Sequence, residues 1–118
     1  MQQLEVVMDI KVDSLLREIV ETIVREADPE RVILFGSRAR DDARADSDID
    51  LLIVEKAPFT MQRSRRKETA RLYFALRKLP IAKDLLLYSQ DEFDHLKHQP
   101  QHVVGRAQRE GKVLHARA

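Results

Sequence analysis

The feature of this 118-residue chain that most constrains its fold is a pair of apolar segments joined by a polar loop. The first segment ends in Gly36-Ser37, the ten residues 38–47 follow, and Asp48-x-Asp50 leads into the second segment. A glycine turn lets the backbone approach a phosphate closely. Two carboxylates two residues apart on a strand point to the same face, where they can hold a divalent cation. The combination predicts phosphoryl or nucleotidyl transfer.

Composition bounds the class of protein. Hydrophobic residues make up 43% and charged residues 35% of the chain, a balance typical of globular domains rather than disordered ones. The length predicts one domain over residues 1–118, with residues 1–12 as a flexible or helical arm. A net charge of +1 and the lack of a long apolar run argue against direct nucleic-acid binding and against a membrane span. The absence of cysteine excludes disulfides and thiolate metal sites, and we expect a cytoplasmic protein.

Hydrophobic periodicity predicts a small α/β domain, with a three- or four-stranded mixed sheet and helices mainly on one face. The predicted helices cover about residues 13–28, 37–42, 61–79, 90–97 and 100–111. The predicted strands cover residues 31–35, 48–54, 81–88 and, near the end of the chain, 113–114. Asp13 and Thr60 are the predicted N-caps of the first helix and the long helix.

The alternation of side chains along the second strand predicts a carboxylate face. Asp48, Asp50, Leu52 and Val54 share that face. On the third strand Asp84 is the single carboxylate, and it joins Asp48 and Asp50 if the two strands are neighbours. Three close carboxylates repel one another unless a cation neutralises them. We therefore expect Mg²⁺, as two ions that clamp the attacking and leaving oxygens of an in-line displacement.

Residues of the Gly-Ser turn are the candidate phosphate ligands. Gly36 would let the backbone approach the phosphates, and the Ser37 hydroxyl with neighbouring N–H groups would donate to them. Arg38 or Arg40 could neutralise phosphate charge. Taken alone, the turn could be an ordinary strand-to-helix connection, and a lone Asp-x-Asp is common in loops. The conjunction of turn, spacer, carboxylate pair and third carboxylate favours a functional site.

The same residues carry a family resemblance. Gly36-Ser37, the ten-residue spacer and Asp48-x-Asp50 match the signature of the DNA polymerase β-like nucleotidyltransferase superfamily. Over roughly residues 13–90 the chain resembles its minimal single-domain prokaryotic members, the MNT proteins. The resemblance implies that the aspartate pair binds metal and that ATP is the nucleotide substrate.

Further expectations follow from this resemblance. It implies that Asp84 is the third catalytic carboxylate. Minimal proteins of this family are typically paired with a HEPN-domain protein as a toxin–antitoxin system. The resemblance therefore implies an antitoxin that transfers AMP from ATP to a tyrosine hydroxyl of a HEPN ribonuclease toxin. One residue departs from the family pattern: Asp41 stands where glycine is usual, although aspartate tolerates a left-handed turn better than most residues.

Other interpretations stay open from the sequence alone. The chain could neutralise its partner by occlusion without catalysis, or act on a small molecule such as an aminoglycoside, although no acceptor domain is evident. Leu86 and Tyr88 extend the apolar part of the carboxylate face, which could be an uncovered contact surface or could be covered by the C-terminal helices. The long basic helix is expected to be a solvated surface, and the four histidines are expected to lie on the surface rather than to bind metal.

Overall fold

A computed structural model describes residues 2–41, 43–44 and 47–117, with side chains described from residue 13 onward. Its helices, numbered in chain order, are α1 (Gln2–Ala27), α2 (Arg65–Ala75), α3 (Gln90–Leu96) and α4 (Val103–Glu110). Its strands are β1 (Arg31–Phe35), β2 (Ile49–Glu55), β3 (Lys83–Ser89) and β4 (Lys112–Ala116). The predicted α/β class is confirmed, and the short terminal strand is present as β4.

The strands form one mixed sheet in the order β3-β2-β1-β4. β1 pairs antiparallel with both β2 and β4, whereas β2 and β3 run parallel. A parallel pair needs a crossover connection, and here α2 lies within that connection. Because β2 and β3 run in the same direction, the carboxylates near their first residues lie close together at the same end of the two strands.

Both faces of the sheet carry helices. On one face Ile53 of β2 is buried in a cluster with residues of the two longer helices, α1 and α2. On the other face Leu52 and Val54 are fully buried with Phe93 of α3 and Val104 of α4. The apolar part of the carboxylate face is therefore covered by the C-terminal helices, and it is not an uncovered contact surface. The sequence predicts helices mainly on one face, whereas the structure, over the residues it describes, has two helices on each face. The helices α3 and α4 are needed on the second face because they bury these apolar residues.

Three helices begin later or earlier than the sequence predicts. The helix α1 begins at Gln2, so it includes residues 2–12 and Asp13 is not its N-cap. The cap of α2 is Ser64, whose side chain accepts a hydrogen bond from the backbone N–H of Lys67, and α2 ends at Ala75. The predicted cap Thr60 instead closes a turn before α2. The helix α4 is capped by His102 rather than begun by a proline.

Other local predictions are confirmed. Ser89 caps α3 through a capping box with Glu92, which satisfies two backbone N–H groups at the start of that helix. Gly111 is the C-cap of α4, and its N–H donates to the carbonyl of Ala107. No helix in the part of the chain that the structure describes is both long and apolar enough to cross a membrane.

The outer edge of the sheet at β3 is partly closed by side chains of α2. The hydroxyl of Tyr73 accepts a hydrogen bond from the backbone N–H of Leu85 at 2.9 Å. Arg65 donates to the carbonyl of Leu87 at 2.9 Å and also pairs with Glu92 of α3. Such contacts occupy backbone groups that an edge strand otherwise presents to other chains. Both contacts are made by residues that follow Asp84 in β3, so the end of the strand that carries Asp84 stays accessible.

Candidate active site

Near the start of β2, the strand register places one residue of each neighbouring strand beside Asp50. In the strand register Asp50 lies opposite Phe35 of β1 on one side and opposite Asp84 of β3 on the other. Side chains of directly paired residues share a face and come within contact distance. Asp48 precedes β2 by one residue and is exposed, as is Asp84. The structure thus brings Asp84 next to the predicted pair, and Asp48, Asp50 and Asp84 together are called the carboxylate row.

The protonation of Asp50 reflects this crowding. Its pKa is raised from the ordinary value, first by burial, then by the charge of Asp84 and a hydrogen bond with it, and then by the charge of Asp48. The guanidinium of Arg40 acts in the opposite direction and lowers that pKa. A carboxyl group among other carboxylates favours either a proton or a cation. The site is therefore suited to a bound cation.

The geometry of Gly36 is tied directly to Asp50. Gly36 has a φ angle of +75°, in the left-handed region that side chains disfavour. A Cβ atom at this position would lie 2.3 Å from Oδ2 of Asp50. The bare backbone of the turn therefore touches the carboxylate row, and any larger residue would displace the carboxyl group. A phosphate held by the turn would lie beside the carboxylates.

One hydrogen-bonded turn follows Gly36, where the sequence predicts one or two helical turns. The carbonyl of Gly36 accepts from the N–H groups of Ala39 and Arg40 at 3.1 Å and 3.2 Å. Ser37 lies half-buried at the start of this turn, which is where the phosphate ligand was predicted. Asp41 ends the turn with a φ angle of +61°, so the position usually held by glycine does need a left-handed residue. The predicted helix's last residue, 42, lies outside the described residues.

Two arginines of the turn have different surroundings. Arg38 donates from Nε and Nη2 to the carbonyl of Ser47, at 3.2 Å and 2.6 Å. It thereby connects the Gly-Ser turn to Ser47, the residue before Asp48. Arg40 is exposed and close enough to Asp50 to affect its pKa. The roles of both arginines as phosphate ligands stay predictions.

The charge of Asp41 is partly balanced. Its carboxylate pairs with Nζ of Lys112 on β4 at 3.2 Å, and both side chains are exposed. An exposed ion pair stabilises a fold by only about 0–1 kcal/mol, but it places a positive charge next to the extra negative one. The aspartate therefore fits the turn both in its backbone conformation and in its charge.

A cleft that the sequence did not predict adjoins the turn. It has a volume of about 210 Å³. Its lining residues are Phe35, Gly36, Arg40, Val103, Arg106, Ala107 and Glu110. The last four lie on one face of α4 at helical spacing, a periodic pattern that is visible in the sequence. Their proximity to the Gly-Ser turn depends on the packing of α4 against β1, which no local pattern specifies.

The donor set at the row fits a magnesium ion. Mg²⁺ prefers oxygen ligands, and the three possible ligands brought together here, Asp48, Asp50 and Asp84, are all carboxylates. Among the residues that the structure describes, no group of three or more possible ligands is arranged closely enough to hold a metal as it stands. Asp48 and Asp84 are exposed, however, so rotation of their side chains toward Asp50 can complete an oxygen site.

Comparison with known proteins gives the family. The family model of the nucleotidyltransferase domain matches residues 14–113. A Sulfolobus solfataricus protein, described as a candidate nucleotidyltransferase, has a similar crystal structure with a TM-score of 0.60 and 25% identity, covering 93% of this chain and 85% of that one. A toxin–antitoxin crystal structure with AMP-PNP has a TM-score of 0.47 and 19% identity, covering 85% and 73%. No curated protein matches the chain.

The family match spans most of the chain and includes every residue of the carboxylate row and the Gly-Ser turn. The chain therefore belongs to the nucleotidyltransferase domain family, and it is a nucleotidyltransferase. The resemblance noted in the sequence is confirmed at the level of the family. Its implications for the nucleotide, the acceptor and the partner are developed next.

Proposed function

We propose that this protein is a magnesium-dependent adenylyltransferase that acts as an antitoxin. Its substrates are ATP and a hydroxyl group, that of a tyrosine, on a HEPN-domain ribonuclease toxin. The observation that carries the reaction is the pairing of Asp50 with Asp84 across parallel strands, beside the bare backbone of Gly36. The sequence resemblance to minimal nucleotidyltransferases supports the choice of partner. The cysteine-free composition suits a reaction in the ATP-containing cytoplasm.

The residues of the row take distinct roles in the proposed reaction. Mg²⁺, when bound, supplies positive charge at the phosphates and at the attacking oxygen. Asp48, Asp50 and Asp84 would hold it, and Asp84 also lies next to the acceptor hydroxyl and receives its proton. The hydroxyl oxygen forms a bond to the α-phosphorus of ATP while the bond from that phosphorus to the bridging oxygen breaks. Pyrophosphate leaves, and AMP remains on the acceptor.

The packing of the sheet supports an acceptor supplied by another protein. Both sheet faces are occupied by the protein's own helices, with Leu52 and Val54 fully buried. The carboxylate row instead reaches the outer strand β3, where Asp84 is exposed. A hydroxyl on a second protein can therefore approach the row from the edge of the sheet. A tyrosine side chain is long enough to extend its hydroxyl beyond its own surface.

Transfer of a label from ATP to the partner tests this proposal. We would incubate the chain with Mg²⁺, the product of the adjacent gene, and ATP labelled at the α-phosphate. We expect label on the partner, and no label with the double variant Asp48→Ala/Asp50→Ala. The control Asp91→Ala removes an exposed carboxylate of α3 outside the row and should retain transfer. Absence of transfer, or transfer by the double variant, would exclude the catalytic mechanism.

The same double variant separates catalysis from occlusion. A catalytic antitoxin should lose neutralisation of the toxin when Asp48 and Asp50 are replaced. Binding of the partner, measured by co-purification, should persist because both residues lie on the site and not in the core. Full neutralisation by the double variant would instead identify an antitoxin that acts by binding alone.

A further inference from the structure

Two adjacent aromatic residues of α2 are exposed beside the outer edge of the sheet. Phe74 is 65% exposed and Tyr73 is 37% exposed, although large apolar side chains are usually buried. The other exposed large apolar residues in the described part of the chain are Met61 and Val113, which lie on separate segments. Single exposed apolar residues are ordinary, whereas adjoining ones are a feature of contact surfaces.

Tyr73 fixes the position of this pair relative to the carboxylate row. Its hydroxyl accepts a hydrogen bond, at 2.9 Å, from the N–H of Leu85, which belongs to the peptide group directly after Asp84. Asp84 is itself exposed on the outer strand β3. The proposed function brings the acceptor hydroxyl to Asp84 from this edge. A protein that presents the hydroxyl there therefore has the exposed side of α2 within reach of its own surface.

The surface around the aromatic pair is positively charged. Four exposed cations of α2 and of the turn after it are Arg66, Lys67, Arg77 and Lys78. In the described parts of the chain none of the four forms an ion pair. Glu68 is the single carboxylate of α2, and it is already paired with Arg71. The charge that complements this surface is therefore negative.

The contact between Arg77 and Phe74 favours a protein over a nucleic acid as the binding partner. The guanidinium carbon of Arg77 lies 3.9 Å from the centre of the Phe74 ring and covers one face of it. Single-stranded nucleic acids bind by stacking bases on open aromatic faces. Aromatic residues and arginine are also enriched in protein interfaces, where a ring enters a pocket of the partner. The net charge of +1 is low for a nucleic-acid-binding domain.

A groove next to the pair gives this surface a depression as well as a projection. The groove has a volume of about 320 Å³, and Thr69 of α2 with Leu85 and Leu87 of β3 form part of its lining. Because Leu85 also donates to Tyr73, the groove adjoins the aromatic pair. A pocket of this size has room for a side chain of a partner. Well-packed interfaces combine such projections and depressions.

From these observations we infer that Tyr73, Phe74 and Arg77, here called the aromatic patch, dock an acidic surface of the acceptor protein, with Phe74 inserted into an apolar pocket of that protein. The inference rests on the proposed function for the existence of a protein acceptor. It assigns recognition of the acceptor to the C-terminal part of α2 and the chemistry to the carboxylate row. Docking beside Asp84 holds the acceptor hydroxyl near the row and raises its effective concentration there.

Binding of the acceptor without nucleotide tests the inference. We would measure the dissociation constant of the purified product of the adjacent gene by isothermal titration calorimetry, in the absence of ATP and Mg²⁺. Phe74→Ala should weaken binding by about tenfold or more, the usual effect of removing a central aromatic residue from an interface. The matched control Met61→Ala removes a side chain that is 97% exposed in the loop before α2, and it should change binding by less than about twofold.

The charge of the patch gives a second test. Arg77→Gln should slow association with the same protein, and added salt should slow association of the wild type, because opposite charges steer the encounter. The control Arg17→Gln removes an exposed positive charge from α1 and lowers the net charge equally. Equal slowing by the two variants would show an effect of net charge alone and would overturn the assignment to the patch.

Transfer kinetics separate docking from chemistry. Phe74→Ala should raise the KM for the acceptor protein by about tenfold and leave kcat within about twofold, because the carboxylate row is intact. The double variant Asp48→Ala/Asp50→Ala should bind the acceptor like the wild type and transfer nothing. If Phe74→Ala binds like the wild type, the inference fails and adenylyl transfer stands. If a wild-type chain binds through Phe74 but transfers no AMP, the proposed function fails and the docking surface stands.

Other binding partners give different results. Failure of the wild type to bind the product of the adjacent gene would overturn the inference. A single-stranded RNA oligonucleotide that binds the wild type and is lost in Phe74→Ala would assign the patch to nucleic acid. A dimer that analytical ultracentrifugation detects in the wild type and not in Phe74→Ala would assign it to a second copy of the chain. Either of these results would also overturn the inference.

Discussion

Replacement of Gly36 by alanine should damage both the fold and the site, and the two costs can be separated. The first cost is backbone strain, because Gly36 has a φ angle of +75°. A residue with a Cβ atom in this region costs about 1–2 kcal/mol. The second cost is steric, because the new Cβ would lie 2.3 Å from Oδ2 of Asp50 and must displace it. Forcing a side chain off its preferred rotamer costs about 0.5–1.5 kcal/mol.

The free energy of unfolding should therefore fall by about 1.5–3.5 kcal/mol in Gly36→Ala, a large part of the ordinary 5–15 kcal/mol of a domain. Urea titration followed by circular dichroism measures this change. In an Asp50→Ala background the carboxyl oxygen is gone, and the closest remaining Asp50 atom, Cβ, is 3.5 Å from the new methyl group. The same substitution should then cost only the strain of about 1–2 kcal/mol.

The difference between the two backgrounds is the coupling energy of a double-mutant cycle, which should be about 1 kcal/mol. A coupling energy near zero would mean that the turn does not touch the carboxylate. A wild-type-like stability of Gly36→Ala would refute the reasoning about the turn as a whole. Adenylyl transfer by Gly36→Ala at the wild-type rate would also contradict it, because a displaced Asp50 cannot hold the metal in the proposed geometry.

Three further predictions concern ionisation and strain around the site. Glu55 is 3% exposed, and burial, followed by the hydrogen bond and charge of Glu68, raises its pKa from 4.5 to about 7. The folded state then binds this proton more tightly than the unfolded state, so stability should decrease by up to about 3 kcal/mol as the pH rises from about 4.5 to 7. Urea titrations across that range should show a flatter profile for Glu55→Gln, and an unchanged profile would contradict the buried-carboxyl account. Asp41 has a φ angle of +61° and pairs with Lys112. In thermal unfolding Asp41→Gly should be about 1 kcal/mol more stable than Asp41→Ala. Both variants lack the ion pair with Lys112, so the difference between them measures the backbone strain. Asp84→Asn should abolish transfer. It should also stabilise the metal-free protein by about 0.2–1 kcal/mol, because it removes the negative charge directly opposite Asp50 on β2. A loss of stability of this variant, measured in the presence of a chelator, would argue against repulsion between the two carboxylates.

The carboxylate row was predictable because it depends on local rules. The alternation of side chains along a strand placed Asp48 and Asp50 on one face, and a single assumption, that β2 and β3 are neighbours, added Asp84. The register pairs Asp50 with Asp84 directly. The left-handed turn at Asp41 was expected from the family resemblance, since glycine is usual at that position.

The remaining features depend on contacts between distant parts of the chain. Arg38 was interpreted as a phosphate ligand from its charge, but its bonds go to the carbonyl of Ser47, nine residues away. The cleft requires α4 to pack beside β1, and the helical spacing that places Arg106 on one face of α4 does not show which element that face meets. The burial of Glu55 at the end of β2 follows from the loop that contains Arg63, whose guanidinium lies 2.5 Å from the carboxylate. Sequence periodicity predicts which face of a helix or strand a residue lies on, but it does not predict which residues of other elements contact that face.

The most direct test of the proposed reaction compares ATP labelled at the α-phosphate with ATP labelled at the γ-phosphate, in the presence of Mg²⁺ and the partner protein. The proposed reaction predicts that the partner acquires only the α-label and that the γ-label is released as pyrophosphate. Asp84→Asn should prevent both transfer and release. Appearance of the γ-label on the partner, or transfer of the α-label by Asp84→Asn at the wild-type rate, would contradict adenylyl transfer at this site.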